Sequence, residues 1–297
     1  MAKFSWSEVF MSIEGEGPYS GWPTVYIRFT GCNFECRGFN NPNMEDTTSI
    51  ETLGFDPKDY KDIYSIPLIT KGCDSIYSWD KKFSHMWTEG DENELANTVI
   101  NTLPHKQWFH PLTNKPIILS LTGGEPTLRA KTIPTLLNHK LFEDLQILLI
   151  ETNSSVPLSD RFIDELNKWV REDSTRKIIW SNSPKLSDSG ELRKRAIQPD
   201  VINSQLDTNI RTPHNFEQYF KFVCGPDDKD FDEVEEVMNI YYNAGLQPHA
   251  PVYIMPQACL EEQQQQIAAR VAIQCINRGY TYCHRIQNSV FGNGVGT

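Results

Sequence analysis

Cys32 and Cys36 stand with three residues between them behind an apolar run, Thr24-Val-Tyr-Ile-Arg-Phe29, and a glycine, Gly31. Two thiols this close in sequence can hold a soft metal ion or part of an iron-sulfur cluster. Two are too few for a stable cluster, so a third is needed. The simplest motif, C-x3-C-x2-C, would put it at position 39, which is Phe39. The chain holds seven cysteines. An odd number without a secretory leader does not read as a disulfide framework. Cys224, Cys259, Cys275 and Cys283 are scattered and read as small buried hydrophobes.

The elements around these residues follow from periodicity. Thr24–Phe29 reads as a strand. Pro116–Thr122, Leu145–Glu151, Lys177–Ser181, Val201–Ser204, Tyr219–Val223 and Val252–Met255 read as further short buried strands. Between them, Lys131–Lys140, Asp160–Val170, Phe231–Ala244 and Glu261–Asn277 read as amphipathic helices. Strand alternating with helix predicts parallel strands with helices packed outside. Such sheets bind ligands at the carboxyl ends of their strands. Four polar segments fall at those ends: Gly123-Gly-Glu-Pro126, Glu151-Thr-Asn-Ser154, Ser181-Asn-Ser-Pro-Lys185 and Met255-Pro-Gln257. Together they predict a pocket for a polar ligand. Residues 37–72 differ, being rich in Asn, Pro, Asp and Thr with poor periodicity. They read as a long excursion with a short helix near Pro57–Tyr64, of a length that is uncommon unless functional.

Charge and hydropathy narrow the partners. With 28 basic against 39 acidic side chains, net −11, broad contact with nucleic-acid phosphates is disfavoured. No run approaches the roughly 18 apolar residues of a membrane span. The first residues show no apolar signal core, so the cytoplasm is the expected compartment and neither nucleic acid nor membrane an expected partner.

Farther along stands Gly72-Cys-Asp-Ser-Ile-Tyr-Ser-Trp-Asp80. This segment resembles the continuation of the third cluster cysteine in the 7-carboxy-7-deazaguanine synthases, a subgroup of radical S-adenosylmethionine enzymes. Other segments resemble the same subgroup in the same order. Glu8-Val-Phe-Met-Ser-Ile-Glu-Gly-Glu-Gly-Pro18 is similar to its N-terminal strand and Q-G-E-G element. Thr122–Pro126 is similar to its glycine-rich element, Glu151-Thr-Asn153 to its E-T-N, Ser183-Pro-Lys185 to its S-P-K, and Arg285–Asn293 to its R-x-H-x3-W-G-N ending. The resemblance implies one catalytic domain over residues 1–297, a partial (β/α) TIM-like barrel, with an insertion at about 37–72. It also implies that Cys32, Cys36 and Cys73 ligate a [4Fe-4S] cluster with spacing C-x3-C-x36-C. Loop closure grows only logarithmically with length, so such a split motif costs little more than a compact one.

The implied reaction converts 6-carboxy-5,6,7,8-tetrahydropterin to 7-carboxy-7-deazaguanine. A 5′-deoxyadenosyl radical made from S-adenosylmethionine takes a hydrogen from C6; ring contraction and ammonia loss come next, a lyase step of queuosine-type deazapurine biosynthesis. In this scheme Gly123, Gly124, Glu125, Thr152, Asn153, Ser183, Lys185 and Gln257 face S-adenosylmethionine, Glu125 at its ammonium. Arg28 and Glu16 act at the substrate, Arg28 on its carboxylate, with Glu14 and Gln287 also in contact. Ser75 would serve a magnesium ion. A reductant such as flavodoxin or ferredoxin, and possible homodimerisation, are further implications. Three positions depart from the pattern: Glu14 replaces Gln, Ser75 replaces Thr, and Gln287 replaces a His and cannot titrate.

Other readings stand beside these. Arg28 can be an edge-strand charge and Glu16 a turn cap. His85, His105, His110 and His139 show no ligand spacing, and Trp79, Trp87 and Trp108 suit core or rim. Another radical reaction, such as glycyl-radical activation, is one alternative. A structural zinc module built on the three thiols and a distant Cys or His is the other.

Overall fold

Nine strands form one mixed sheet in a computed structural model that describes residues 2–44, 48, 50–205, 215–247, 249–258, 260–292 and 294–296. In chain order they are β1 (Lys3–Ile13), β2 (Pro23–Phe29), β3 (Thr88–Asp91), β4 (Ile118–Gly123), β5 (Ile147–Thr152), β6 (Lys177–Asn182), β7 (Phe216–Cys224), β8 (Val252–Pro256) and β9 (Thr281–Tyr282). Their spatial order is β3-β1-β2-β4-β5-β6-β7-β8-β9. β1 runs antiparallel to β2 and β3, while every pairing from β2 to β9 is parallel. β3 and β9 remain as edges, so the sheet is an open, partial barrel of the α/β class expected.

Strand alternation sorts the core into two faces. Leu119, Leu148, Ile150, Ile178 and Trp180 point outward, where they pack with Phe162, Leu166 and Trp169 of the helix Asp160–Arg171. Ile118, Leu149 and Ile179 point to the other side and pack with Tyr19 and Tyr219. A strand buried on both faces must read as a continuous apolar run, which is why β4, β5 and β6 are legible. The helices Asp228–Asn243 and Glu261–Arg278 cover the second half of the sheet and close a further core around Phe220, Phe222 and Ile254.

Two expectations change. Val201–Ser204 is not a strand but part of a helix, Pro199–Ser204, that starts on proline and buries Val201 and Ile202. Proline's fixed φ suits the first helical turn, and four residues are too few to show a period. The helix expected over Lys131–Lys140 contracts to Ile133–Leu137. β3, β9 and the helix Glu92–Thr102 go beyond the elements expected from periodicity. That helix carries a capping box, Asp91 with Glu94, a readable start signal.

The excursion packs into a small core shared with the segment that follows it. Ile63 is buried there with Ile76, Tyr77 and Phe83, and Val295 from the C-terminal end packs against them. Its expected helix is one 3₁₀ turn, Pro57–Asp59, capped by Asp56. No helix among the described residues is long and apolar enough to cross a membrane. Cys259 and Asn293 lie outside the described residues.

Candidate active site

The carboxyl ends of β2, β4, β5, β6, β7 and β8 open on one cavity of about 410 Å³. Cys32, Cys36 and Cys73 all line it. Phe39 belongs to the neck of the excursion: the Gly72 amide donates to the Phe39 carbonyl at 2.7 Å, which returns Cys73 toward the start. Burial pushes the Cys32 thiol up to about 12, and pushes Cys36 and Cys73 up as well. The charge of Lys185 pulls all three the other way, so one ammonium faces the whole set. Two sulfurs already receive donors, Cys32 from the Phe34 amide at 3.4 Å and Cys73 from Trp79 Nε1 at 3.4 Å.

The glycine-rich turn after β4 serves the thiol loop first. Gly124 N–H donates to the Phe29 carbonyl at 3.2 Å and Glu125 N–H to the Gly31 carbonyl at 2.9 Å. A Cβ on Gly124 would lie 2.2 Å from that same Gly31 oxygen, so only glycine lets the two backbones meet. Gly123, Gly124, Thr152, Asn153, Ser183, Lys185 and Gln257 line the cavity. Glu125 does not. Its carboxylate is fully buried and accepts from Thr127 N, Thr127 Oγ1, Thr152 Oγ1 and Asn153 N at 2.6–3.0 Å. It clasps the ends of β4 and β5 together, Oε1 taking three of these donors and Oε2 the Asn153 amide alone.

The opposite side of the cavity is ionic. Glu16 is buried between two cations: it pairs with Lys221, and its Oε1 accepts from Arg285 Nε at 2.8 Å. Burial alone would raise this carboxyl, but Lys221 and Arg285 hold it down at about 2. Arg285 also reaches Asp74, the residue after Cys73, at 3.0 Å. Arg28 lines the cavity beside them, its Nε on Glu8 at 2.5 Å, its plane flanked by the rings of Phe10 and Tyr77. Glu8, Asp74, Lys221 and Arg285 have no place in the sequence reading of the substrate site. Their partners lie 20 to 269 residues away; Glu8, Asp74 and Arg285 stand in segments that carry the resemblance, while nothing local marks Lys221.

Glu14 also stays off the cavity wall. It is buried, accepting from Tyr26 Oη at 3.1 Å and from the Glu16 amide at 3.2 Å. Burial, with Glu151 nearby, pushes it up to about 8. At neutral pH it is therefore mostly uncharged, as is the Gln that the pattern has there. Gln287 lines the cavity but is tied down, donating to the Ile13 carbonyl and to Tyr26 Oη, both at 3.1 Å.

These donors fit one implied group and not another. Three thiols and the Lys185 ammonium on the wall of one polar pocket suit a cluster with one open iron. Zinc needs three or four donors on a single ion, and the described residues present no group of three His, Cys, Asp or Glu so placed. Magnesium does not fit as the side chains stand. Ser75 Oγ accepts from Arg28 Nη1 at 3.4 Å and donates to Asp74 Oδ1 at 3.1 Å, and Asp74 Oδ2 accepts from Arg285, so the hard oxygens are engaged within the protein.

No family model matches the chain. Among curated proteins it is 24% identical over 296 residues to the 7-carboxy-7-deazaguanine synthase of Pyrobaculum aerophilum, covering 97% of this chain and 95% of that one. It is 26% identical over 306 residues to the protein of the same name from Rhodopirellula baltica, covering 98% and 88%. The chain is an enzyme related to the 7-carboxy-7-deazaguanine synthases. The solved structure of QueE from Escherichia coli superposes with a TM-score of 0.51 at 15% identity, over 95% of this chain and 93% of that one. That likeness shows the shared fold. Relatives of the synthase that span nearly the whole chain leave the zinc module disfavoured.

Proposed function

We propose that this synthase relative is a radical S-adenosylmethionine enzyme that converts 6-carboxy-5,6,7,8-tetrahydropterin to 7-carboxy-7-deazaguanine. The observation that carries the reading is the meeting of Cys32, Cys36 and Cys73 on one cavity with Arg28 and Glu16. When bound, a four-iron cluster and S-adenosylmethionine supply one-electron cleavage of a carbon–sulfur bond and so hydrogen-atom abstraction.

The chain's own residues do the positioning. Asn153, Ser183 and Lys185 offer polar atoms on the thiol side. Asn153 is fixed by Asn33, to which its Nδ2 donates at 2.9 Å. Arg28 has given Nε to Glu8, so its far end is presented to a substrate carboxylate in a single orientation. Glu16, kept ionised between Lys221 and Arg285, accepts hydrogen bonds from the amino edge of a pterin. Apolar residues of the excursion, among them Tyr64, Ile66 and Leu68, wall the same cavity and limit water. The resemblance implies an electron-donor protein, a homodimer and use of the product in deazapurine synthesis, and we include these in the proposal.

Anaerobic reconstitution tests the cluster: about four irons per chain are expected, and Cys73→Ala should lose them. Turnover with dithionite, S-adenosylmethionine and the carboxytetrahydropterin tests the substrate. A loaded enzyme that yields no 7-carboxy-7-deazaguanine by mass spectrometry refutes the reaction and leaves the radical class standing.

A further inference from the structure

Cys36 has a left-handed backbone, φ +47°. That conformation is unfavourable for a residue other than glycine, so something must hold it. The holder is Glu191. Its Oε1 accepts from the Glu35 amide at 2.8 Å and from the Cys36 amide at 3.0 Å. Consecutive amides that converge this way form a nest for an anion, the device by which many proteins address phosphate groups or iron-sulfur clusters. Here the anion is the protein's own carboxylate.

The rest of the segment that carries Glu191 supports the same loop. The Ser189 carbonyl accepts from the Gly38 amide at 3.0 Å. A Cβ on Gly38 would stand 2.4 Å from the Asp188 oxygen, so the two backbones lie in direct contact. Arg195 donates to the Asn33 carbonyl at 2.8 Å and lies over the Phe34 ring. Every residue from Asn33 to Cys36 thus touches this segment or adjoins one that does. The segment comes directly after Ser183-Pro-Lys185, so cofactor side and thiol loop are braced by one stretch of chain.

We propose that Glu191 is the positioning residue of the second cluster thiol and an electrostatic determinant of the cluster's potential. The inference rests on the reading of Cys32, Cys36 and Cys73 as cluster ligands. Filling the nest orients Cys36 and withholds two amide donors from the cluster. It also places a negative charge beside it. Fewer donors and added negative charge both disfavour the reduced, more negative cluster.

The test uses the full chain, reconstituted anaerobically. Glu191→Ala removes the acceptor; iron content should fall at least twofold, with faster loss to a chelator. Glu191→Gln keeps an oxygen for both amides and drops the charge. Its iron content should match the parent, while its midpoint potential, followed by electron paramagnetic resonance, should move positive. Circular dichroism of the iron-free chains reports folding; if the alanine variant does not fold, the glutamine variant decides alone. Full iron retention in a folded Glu191→Ala, or an unmoved potential in Glu191→Gln, overturns the assignment. Cys36→Ala is run in parallel. If it keeps its cluster, the ligand reading fails; if it loses the cluster while the Glu191 variants match the parent, only this inference fails.

Discussion

Glu8 of β1 holds Arg28 of β2 through a 2.5 Å contact from Nε, with the glutamate side chain wholly buried and the arginine side chain 17% exposed. Tyr77 Oη donates to the same Glu8 oxygen at 3.0 Å. The pair is thus as much a structural element as a binding one. Removing the cation alone leaves a buried carboxylate, a change that typically costs about 3–5 kcal/mol. Arg28→Met should lower stability on that scale in urea denaturation and abolish turnover. Adding Glu8→Gln should restore most of the stability and none of the turnover. A double variant no more stable than Arg28→Met would show that the pair does not act as a unit.

Glu14 makes stability depend on pH. Its folded pKa, about 8, lies above the ordinary 4.5. Between those values the folded chain holds a proton that the unfolded chain has released. Its contribution is therefore fully present below about 4.5 and is lost as pH rises toward 8. Glu14→Gln removes the titration, so its melting temperature should gain on the parent's steadily from pH 4.5 to 8 and run parallel above. Glu16, held at about 2 by Lys221 and Arg285, works the other way: its contribution is present above about 4.5 and fades as pH falls toward 2. The comparison is consequently made between the two proteins at each pH, not along one curve.

The parallel strands and their polar ends are readable because a strand buried on both faces needs an unbroken apolar run, and a ligand rim needs polar residues at its carboxyl end. The turn Gly123-Gly124 is readable for the same reason, though its glycines answer first to the backbone of Phe29–Gly31. Glu125 reads as a cofactor contact through the resemblance of Thr122–Pro126 to a glycine-rich element; its hold on Thr127, Thr152 and Asn153 across two strand ends is visible only in the packing. Lys221 and Glu191 are illegible in sequence since their meaning lies in distant partners, and Arg285 is legible only as the start of a resembling segment, not as a partner of Glu16. Val201–Ser204 misleads for lack of length, and Pro199 is the local signal that a helix starts there.

Gly15 and Gln287 join the two ends of the chain. A Cβ on Gly15 would fall 1.5 Å from Gln287 Oε1, so any side chain there displaces the amide. Gln287 would then lose its bonds to Ile13 and Tyr26. At about 1 kcal/mol for each such hydrogen bond, Gly15→Ala should cost about 2 kcal/mol in denaturant titration. In a Gln287→Ala background the same substitution should cost much less, since the clash is gone. Equal costs in both backgrounds would place the strain elsewhere.

The excursion between Cys36 and Cys73 is held by a core it shares with residues after Cys73, among them Tyr77, the ring beside Arg28. Ile63 is 2% exposed within it. Truncation of a buried isoleucine to alanine costs about 2–5 kcal/mol where the site cannot collapse. If the excursion is coupled to the rest, Ile63→Ala should shift the single unfolding transition of the whole chain. If it is a separately cooperative piece, a first, smaller transition should appear while the remainder melts where the parent does. Because Cys73 leaves the excursion through the Gly72–Phe39 hydrogen bond, the coupled case also predicts reduced iron loading in the same variant. Full loading beside an unchanged main transition would mark the excursion as dispensable for placing the third thiol.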